Sequence, residues 1–234
     1  VILLVHGWCC IPGFWRHQLG AFAARGYDVA AIDLRRARRR GDAIEDFAVE
    51  VVAAADARHP RDIVLIGHSM GGPVVIEAAI RLGSRCRLVV GIDTFTDAAF
   101  YAGWPPEEIA RRTEAFASDF GGAMRAMVDR LIAPANKPRV LPWVAEEMAA
   151  ADPEAALWAL RGLLAWDIAG RLPAARCPIE TINSAWLDST RNKVPGLDRV
   201  RVHTMEDVGH FPMLEAPERF NALALAILEQ SLPA

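Results

Sequence analysis

A chain of 234 residues is long enough to bury a large core as one domain, or as one domain carrying an insertion. Hydrophobic residues make up 53% of it and the net charge is −3, with no apolar run reaching the roughly 18 residues that a membrane span requires. Neither a membrane nor a nucleic-acid partner is indicated, and four cysteines without paired spacing fit reduced thiols in a cytoplasmic protein.

Val1 to Val5 is a continuous apolar run, as expected of a strand covered on both faces of a parallel sheet. His6-Gly7-Trp8 closes it. Phe14, Leu19, Phe22 and Ala23 then recur at helical spacing until Gly26, which suits a helix C-cap. Tyr27 to Ile32 reads as a second buried strand ending at Asp33. The basic run Arg35, Arg36, Arg38, Arg39 and Arg40 follows it and is read as a solvated loop. Asp42 with Glu45 forms a capping signature for a helix whose apolar positions are Ile44, Phe47, Val51, Val52 and Ala55.

Ile63 to Ile66 runs into Gly67-His68-Ser69-Met70-Gly71-Gly72, and a helix-compatible stretch continues to about Gly83. A serine in a Gly-x-Ser-x-Gly turn between strand and helix is held up at the carboxyl edge of a parallel sheet. The two flanking glycines have a steric reason to be there, because a Cβ collides across so tight a turn. Arg87 to Ile92 gives a fourth strand, ending at Asp93-Thr94. This alternation of strand and helix predicts an α/β fold with a mainly parallel, doubly wound sheet.

Between Phe95 and Leu172 the rhythm changes to short helices, beginning at Pro105-Pro106, near Gly122, at Pro142 and at Asp152-Pro153. A helical insertion there leaves and rejoins the sheet at one edge, so residues 95–172 are expected to form a cap over a core made of 1–94 and 173–234. Trp104, Trp143, Trp158 and Trp166 all fall in the insertion and are candidates for lining a substrate cavity. Strands resume at Ile179 to Asn183 and at Val200 to Thr204. Each is followed by a loop, the first carrying Asp188 and the second Gly209-His210-Phe211-Pro212. Pro217 opens a last helix packed through Phe220, Leu223, Ile227 and Leu228.

Attack of a serine on a carbonyl needs a nucleophile, a base and an acid that orients the base. Ser69, Asp188 and His210 occur in the order nucleophile, acid, base, each after a predicted strand and therefore at one sheet edge. Two backbone N–H groups must also face the oxyanion, and Met70 after the nucleophile and Trp8 after the first strand are in position to supply them. His6 is read as a hydrogen-bonding residue holding that loop. Cys9 and Cys10 have no evident activating partner, and the histidines show no metal-ligand spacing.

His6-Gly7-Trp8, Gly67 to Gly72, Asp188 and Gly209 to Glu215 resemble the α/β-hydrolase superfamily over nearly the whole chain, with 95–172 in the place of that family's cap. The opening His-Gly-Trp also resembles small carboxylesterases of the pimeloyl-ester type. The resemblance implies a two-step acyl-enzyme mechanism with no cofactor. The chain departs from the family pattern in lacking two strands before the His-Gly loop, as expected of either a fragment or a trimmed variant. It also lacks a glycine in Asn183 to Asp188, ahead of the proposed acid. Asp93 is for that reason a rival acid, with Asp188 preferred because its order and the downstream Val194-Pro195 fit the family.

The resulting expectation is a serine hydrolase acting on a small to medium, partly apolar carboxylic ester. The same triad also serves C–C bond hydrolysis, lactone opening or acyl transfer, and a slow-turnover, ligand-sensing receptor of the same fold is a further alternative.

Overall fold

The computed structural model describes residues 1–58, 61–96, 100–186 and 199–231. Its centre is a six-stranded sheet built from β1 (Ile2–Val5), β2 (Val29–Ile32), β3 (Ile63–His68), β4 (Cys86–Ile92), β5 (Ile179–Ser184) and β6 (Val200–Met205). The strands lie in the order β2-β1-β3-β4-β5-β6, and every neighbouring pair is parallel. All carboxyl ends therefore open on one edge. The order reverses between β1 and β3, and the crevice beyond that switch is where open α/β sheets bind ligands.

Burial follows position in the sheet. All residues of β1, β3 and β5 are buried, whereas β2, expected as a buried strand, is half-buried because it forms one edge. At the other edge β6 leaves Val202 exposed. The sheet is flanked by α1 (Arg16–Ala23), which packs on α10 (Pro217–Ser231), and by α2 (Ala43–Asp56), which packs on α3 (Gly71–Leu82). Phe14 lies in a short 3-10 turn, Pro12–Trp15, that precedes α1. The Asp42 side chain accepts from Ile44 N and Glu45 N and so starts α2, satisfying two of the donors that a helix start leaves open.

Between β4 and β5 the chain forms α4 (Pro106–Ser118), α5 (Phe120–Leu131), α6 (Lys137–Ala149), α7 (Pro153–Ala165) and the single turn α8 (Ile168–Arg171). Asp119 and Asp152 cap α5 and α7 through Gly122 N and Ala155 N. Pro142, expected to open a helix, instead lies inside α6. Pro138 takes the first-turn position, where a missing N–H costs nothing, and Pro142 removes one bond from the ladder behind it. Arg171 donates through both Nε and Nη2 to the buried Glu77 carboxylate of α3, and Trp166 Nε1 donates to the same group at 2.9 Å. The helical segment is thereby pinned to the helix that follows Ser69. Among the described residues no helix is long and apolar enough to cross a membrane.

Candidate active site

β3 ends at His68 and α3 begins at Gly71, so Ser69 occupies the turn between them with φ of 53°. A non-glycine residue in this left-handed region is strained by about 1–3 kcal/mol and persists only when its surroundings fix it. Here they do: Ser69 N donates to Ile92 O at 2.9 Å, while Ser69 O accepts from Gly72 N at 2.9 Å and from Thr94 Oγ1 at 3.0 Å. A Cβ on Gly67 would stand 2.3 Å from Gly71 O, and one on Gly71 would stand 2.5 Å from Val5 O. The glycines are therefore required by close backbone approach. The Ser69 side chain faces a cavity of about 490 Å³.

His210, in the loop after β6, lines the same cavity. Its Nδ1 lies 2.5 Å from Asp93 Oδ2, and the other Asp93 oxygen accepts from Ser184 N at 2.8 Å. Asp93 is buried at 3% exposure and has a left-handed φ of 43°. A buried carboxylate with both oxygens occupied holds an imidazole in one tautomer, with the proton on Nδ1 and a lone pair on Nε2. The acid that meets the imidazole is thus the residue read as the rival from sequence. Asp188, the residue preferred there, lies outside the described residues.

His68 contacts His210 from the other side, with ring centroids 4.8 Å apart and His68 Nε2 2.7 Å from His210 O. Full burial, and then the neighbouring His210, hold the His68 pKa well below its ordinary value. A neutral His68 donates to that carbonyl without adding positive charge beside the His210 imidazole.

Trp8 N and Met70 N are the two expected oxyanion donors. Neither donates to a protein acceptor among the described residues, and both residues are buried at the carboxyl edge. Met70 is the residue immediately before α3, where backbone N–H groups are unpaired by the helix and the dipole favours negative charge. His6 holds the Trp8 loop as expected: its Nδ1 lies 2.9 Å from Gly7 O, and its Nε2 accepts from Leu34 N at 3.1 Å.

A model of the alpha/beta hydrolase family matches residues 2–223. The chain belongs to the α/β-hydrolase family. This α/β hydrolase is 25% identical over 253 aligned positions to a pimeloyl-acyl-carrier protein methyl ester esterase of Nitrosospira multiformis, covering 94% of this chain and 91% of that protein. It is 33% identical to epoxide hydrolase B of Mycobacterium tuberculosis, over only 39% of this chain and 28% of that enzyme. Among solved structures it is similar to Est816, described as an N-acyl homoserine lactone degrading enzyme, with TM-score 0.77, 25% identity and coverage of 96% and 92% of the two chains. It shares the fold of an enol-lactonase from Burkholderia xenovorans, with TM-score 0.79, 19% identity and coverage of 97% and 90%.

The cavity of this α/β hydrolase is closed by its helical segment. Phe116 of α4, Met127 and Leu131 of α5, Met148 of α6 and Leu160 and Leu163 of α7 face it opposite Ser69. None of the four tryptophans expected to line it does so. Trp143 packs on Phe14, Trp158 packs on Phe47 and donates to Gly41 O, Trp104 lies under the Arg112 guanidinium, and Trp166 is committed to Glu77. The tryptophan that does line the cavity is Trp8, whose indole N–H donates to Ala156 O of α7 at 2.7 Å. Cys10 also lines it, but burial pushes the Cys9 and Cys10 thiols far above neutral pH, so neither is an available thiolate. Thr94, which bonds to Ser69 O, carries no pattern that marks it as a site residue; Glu215, which bonds to the His210 loop, closes the recognised Gly209 to Glu215 stretch, but no role could be read for it there.

Proposed function

We propose that this α/β hydrolase is a serine carboxylesterase acting on a small to medium, partly apolar ester, with Ser69 as nucleophile, His210 as base and Asp93 as the acid. The observation that carries the reading is the His210–Asp93 hydrogen bond on the cavity that also receives the strained Ser69. His210 Nε2 takes the Ser69 proton as Oγ attacks the ester carbonyl. Catalytic hydrogen bonds of this kind often tighten only once substrate is bound. The developing oxyanion accepts from Trp8 N and Met70 N, each such donor contributing about 2.7–4 kcal/mol in related chemistry. His210 then protonates the leaving alcohol, and water repeats the cycle on acyl-Ser69 with the imidazole again acting as base.

The helical segment α4–α7 serves as a cap, its apolar side chains receiving the hydrocarbon part of the substrate. The esterase name of the Nitrosospira relative, matched over 94% of this chain and 91% of that protein, supports this substrate class. Lactone opening is the second reading, favoured by the likeness to Est816 over nearly the whole of both chains. A lactone is an internal ester, and the same residues perform the same steps on it. Fluorophosphonate labelling followed by peptide mapping tests the core of the proposal: modification at Ser69, abolished in Ser69→Ala, is expected. A labelled residue elsewhere, or turnover of p-nitrophenyl butyrate that survives Ser69→Ala, refutes it.

A further inference from the structure

One buried carboxylate bonds to both neighbours of His210. Glu215 in α9 (Pro212–Glu215) is 3% exposed. Its Oε2 accepts from Gly209 N at 2.8 Å, Ala133 N at 3.1 Å and Asn136 Nδ2 at 3.0 Å, and its Oε1 accepts from Phe211 N at 3.1 Å. Burying a carboxylate is costly unless hydrogen bonds replace its hydration, and here N–H groups from two separate parts of the chain do so. Gly209 and Phe211 are the two neighbours of His210. Ala133 and Asn136 belong to the connection between α5 and α6, in the proposed cap.

His210 itself completes the junction. Its backbone N donates to Leu131 O at 2.7 Å, and Leu131 also lines the cavity. A Cβ on Gly209 would stand 2.2 Å from the same carbonyl, which shows how closely the two segments are pressed together. Arg139 of α6 adds bonds to Leu214 O and Glu215 O. The base therefore rests on the cap as much as on the sheet.

Resting on the serine-hydrolase reading above, we infer that Glu215 is a positioning residue for the reaction: it locks the His210 loop to the α5–α6 connection and so sets the base relative to Ser69 and the substrate cavity. Glu215→Gln is the discriminating variant. It keeps size and shape but replaces one acceptor oxygen by an amide N–H, which must oppose either Phe211 N–H or the group of donors on the other oxygen.

Misplacement of a reacting group by about 1 Å costs on the order of a hundredfold in rate. For Glu215→Gln, kcat on p-nitrophenyl butyrate and the rate of fluorophosphonate labelling are accordingly expected to fall about 10- to 100-fold, with KM within about twofold of wild type. The low-field proton resonance of the His210–Asp93 hydrogen bond is expected to shift or broaden in the same variant. A merely structural role for Glu215 moves none of these in a folded protein. Labelling and kcat within twofold of wild type, with the resonance unchanged, overturn the inference. If Glu215→Gln does not fold, Asn136→Ala decides: a several-fold loss in kcat at constant KM supports the inference, and an unchanged kcat rejects it. Wild-type protein that is not labelled at Ser69 refutes the serine-hydrolase reading itself, an outcome distinct from normal labelling of the Glu215 variant.

Discussion

His210 Nδ1 and Asp93 Oδ2 are 2.5 Å apart, a bond that reaches from the loop after β6 across the end of β5 to the end of β4. The carboxylate is fixed in turn by Ser184 N at the end of β5, so three successive strands determine where the imidazole sits. The bond matters because a base must have its lone pair on Nε2, and only an acceptor at Nδ1 ensures that. Asp93→Asn is therefore expected to fold normally and to lower kcat on p-nitrophenyl butyrate by about 10⁴-fold, by analogy with the same exchange in other serine enzymes. Asp188→Asn is expected to retain kcat within a few-fold. Steady-state kinetics on the two variants separates the two carboxylates, and the reverse pattern identifies Asp188 as the acid.

Apolar side chains of α5 and α7 close the cavity, so bulk added there is expected to shorten the acyl chain accepted. In Leu163→Trp the ratio of kcat/KM for p-nitrophenyl hexanoate over acetate should fall by about tenfold or more, since each methylene in an apolar pocket is worth about 1–3 kcal/mol. Trp158→Ala, by contrast, alters a side chain that packs on Phe47 outside the cavity. Its acyl preference should remain that of wild type. A chain-length series on both proteins checks the assignment.

Glu77 is buried at 1% and takes bonds from Arg171 and Trp166. Arg171→Met leaves a buried carboxylate with only the indole as partner. Removing one member of a buried ion pair costs about 3–5 kcal/mol, but the Arg171 side chain is 41% exposed and solvent screens part of that. A loss of about 1–3 kcal/mol in urea unfolding is expected. Because the pair joins α3 to the end of the helical segment, hydrogen exchange in α8 should rise more than in β3.

Burial keeps His68 neutral in the folded protein, whereas the unfolded chain protonates it near pH 6.5. The unfolded state therefore binds the extra proton, and stability falls as pH drops below about 6.5, by at most about 1.4 kcal/mol per pH unit for one group. This contribution is fully present above that pH. Urea midpoints measured between pH 7.5 and 5 should decline in wild type and decline less steeply in His68→Gln. Equal slopes in the two proteins exclude His68 as the source.

Apolar runs and helical spacing were enough to read the sheet, its flanking helices and the Ser69 turn, because burial on both faces and close backbone approach leave direct marks on residue type. His210 was legible for the same reason, lying after a strand in a recognisable loop. The carboxylate partner was not. Every strand of a parallel sheet opens on the same edge, so chain position does not separate Asp93 from Asp188, and it is spatial strand order and the turn at Asp93 that bring the Asp93 carboxylate to the imidazole. Nor does an aromatic residue in a helix announce which side it presents, which is why the four tryptophans of the segment between β4 and β5 pack elsewhere while Trp8, from the first loop, lines the cavity. Glu215 shows the same limit most plainly. Its place at the end of the Gly209 to Glu215 stretch gives it no role until the fold surrounds its carboxylate with four N–H donors from segments more than 70 positions apart.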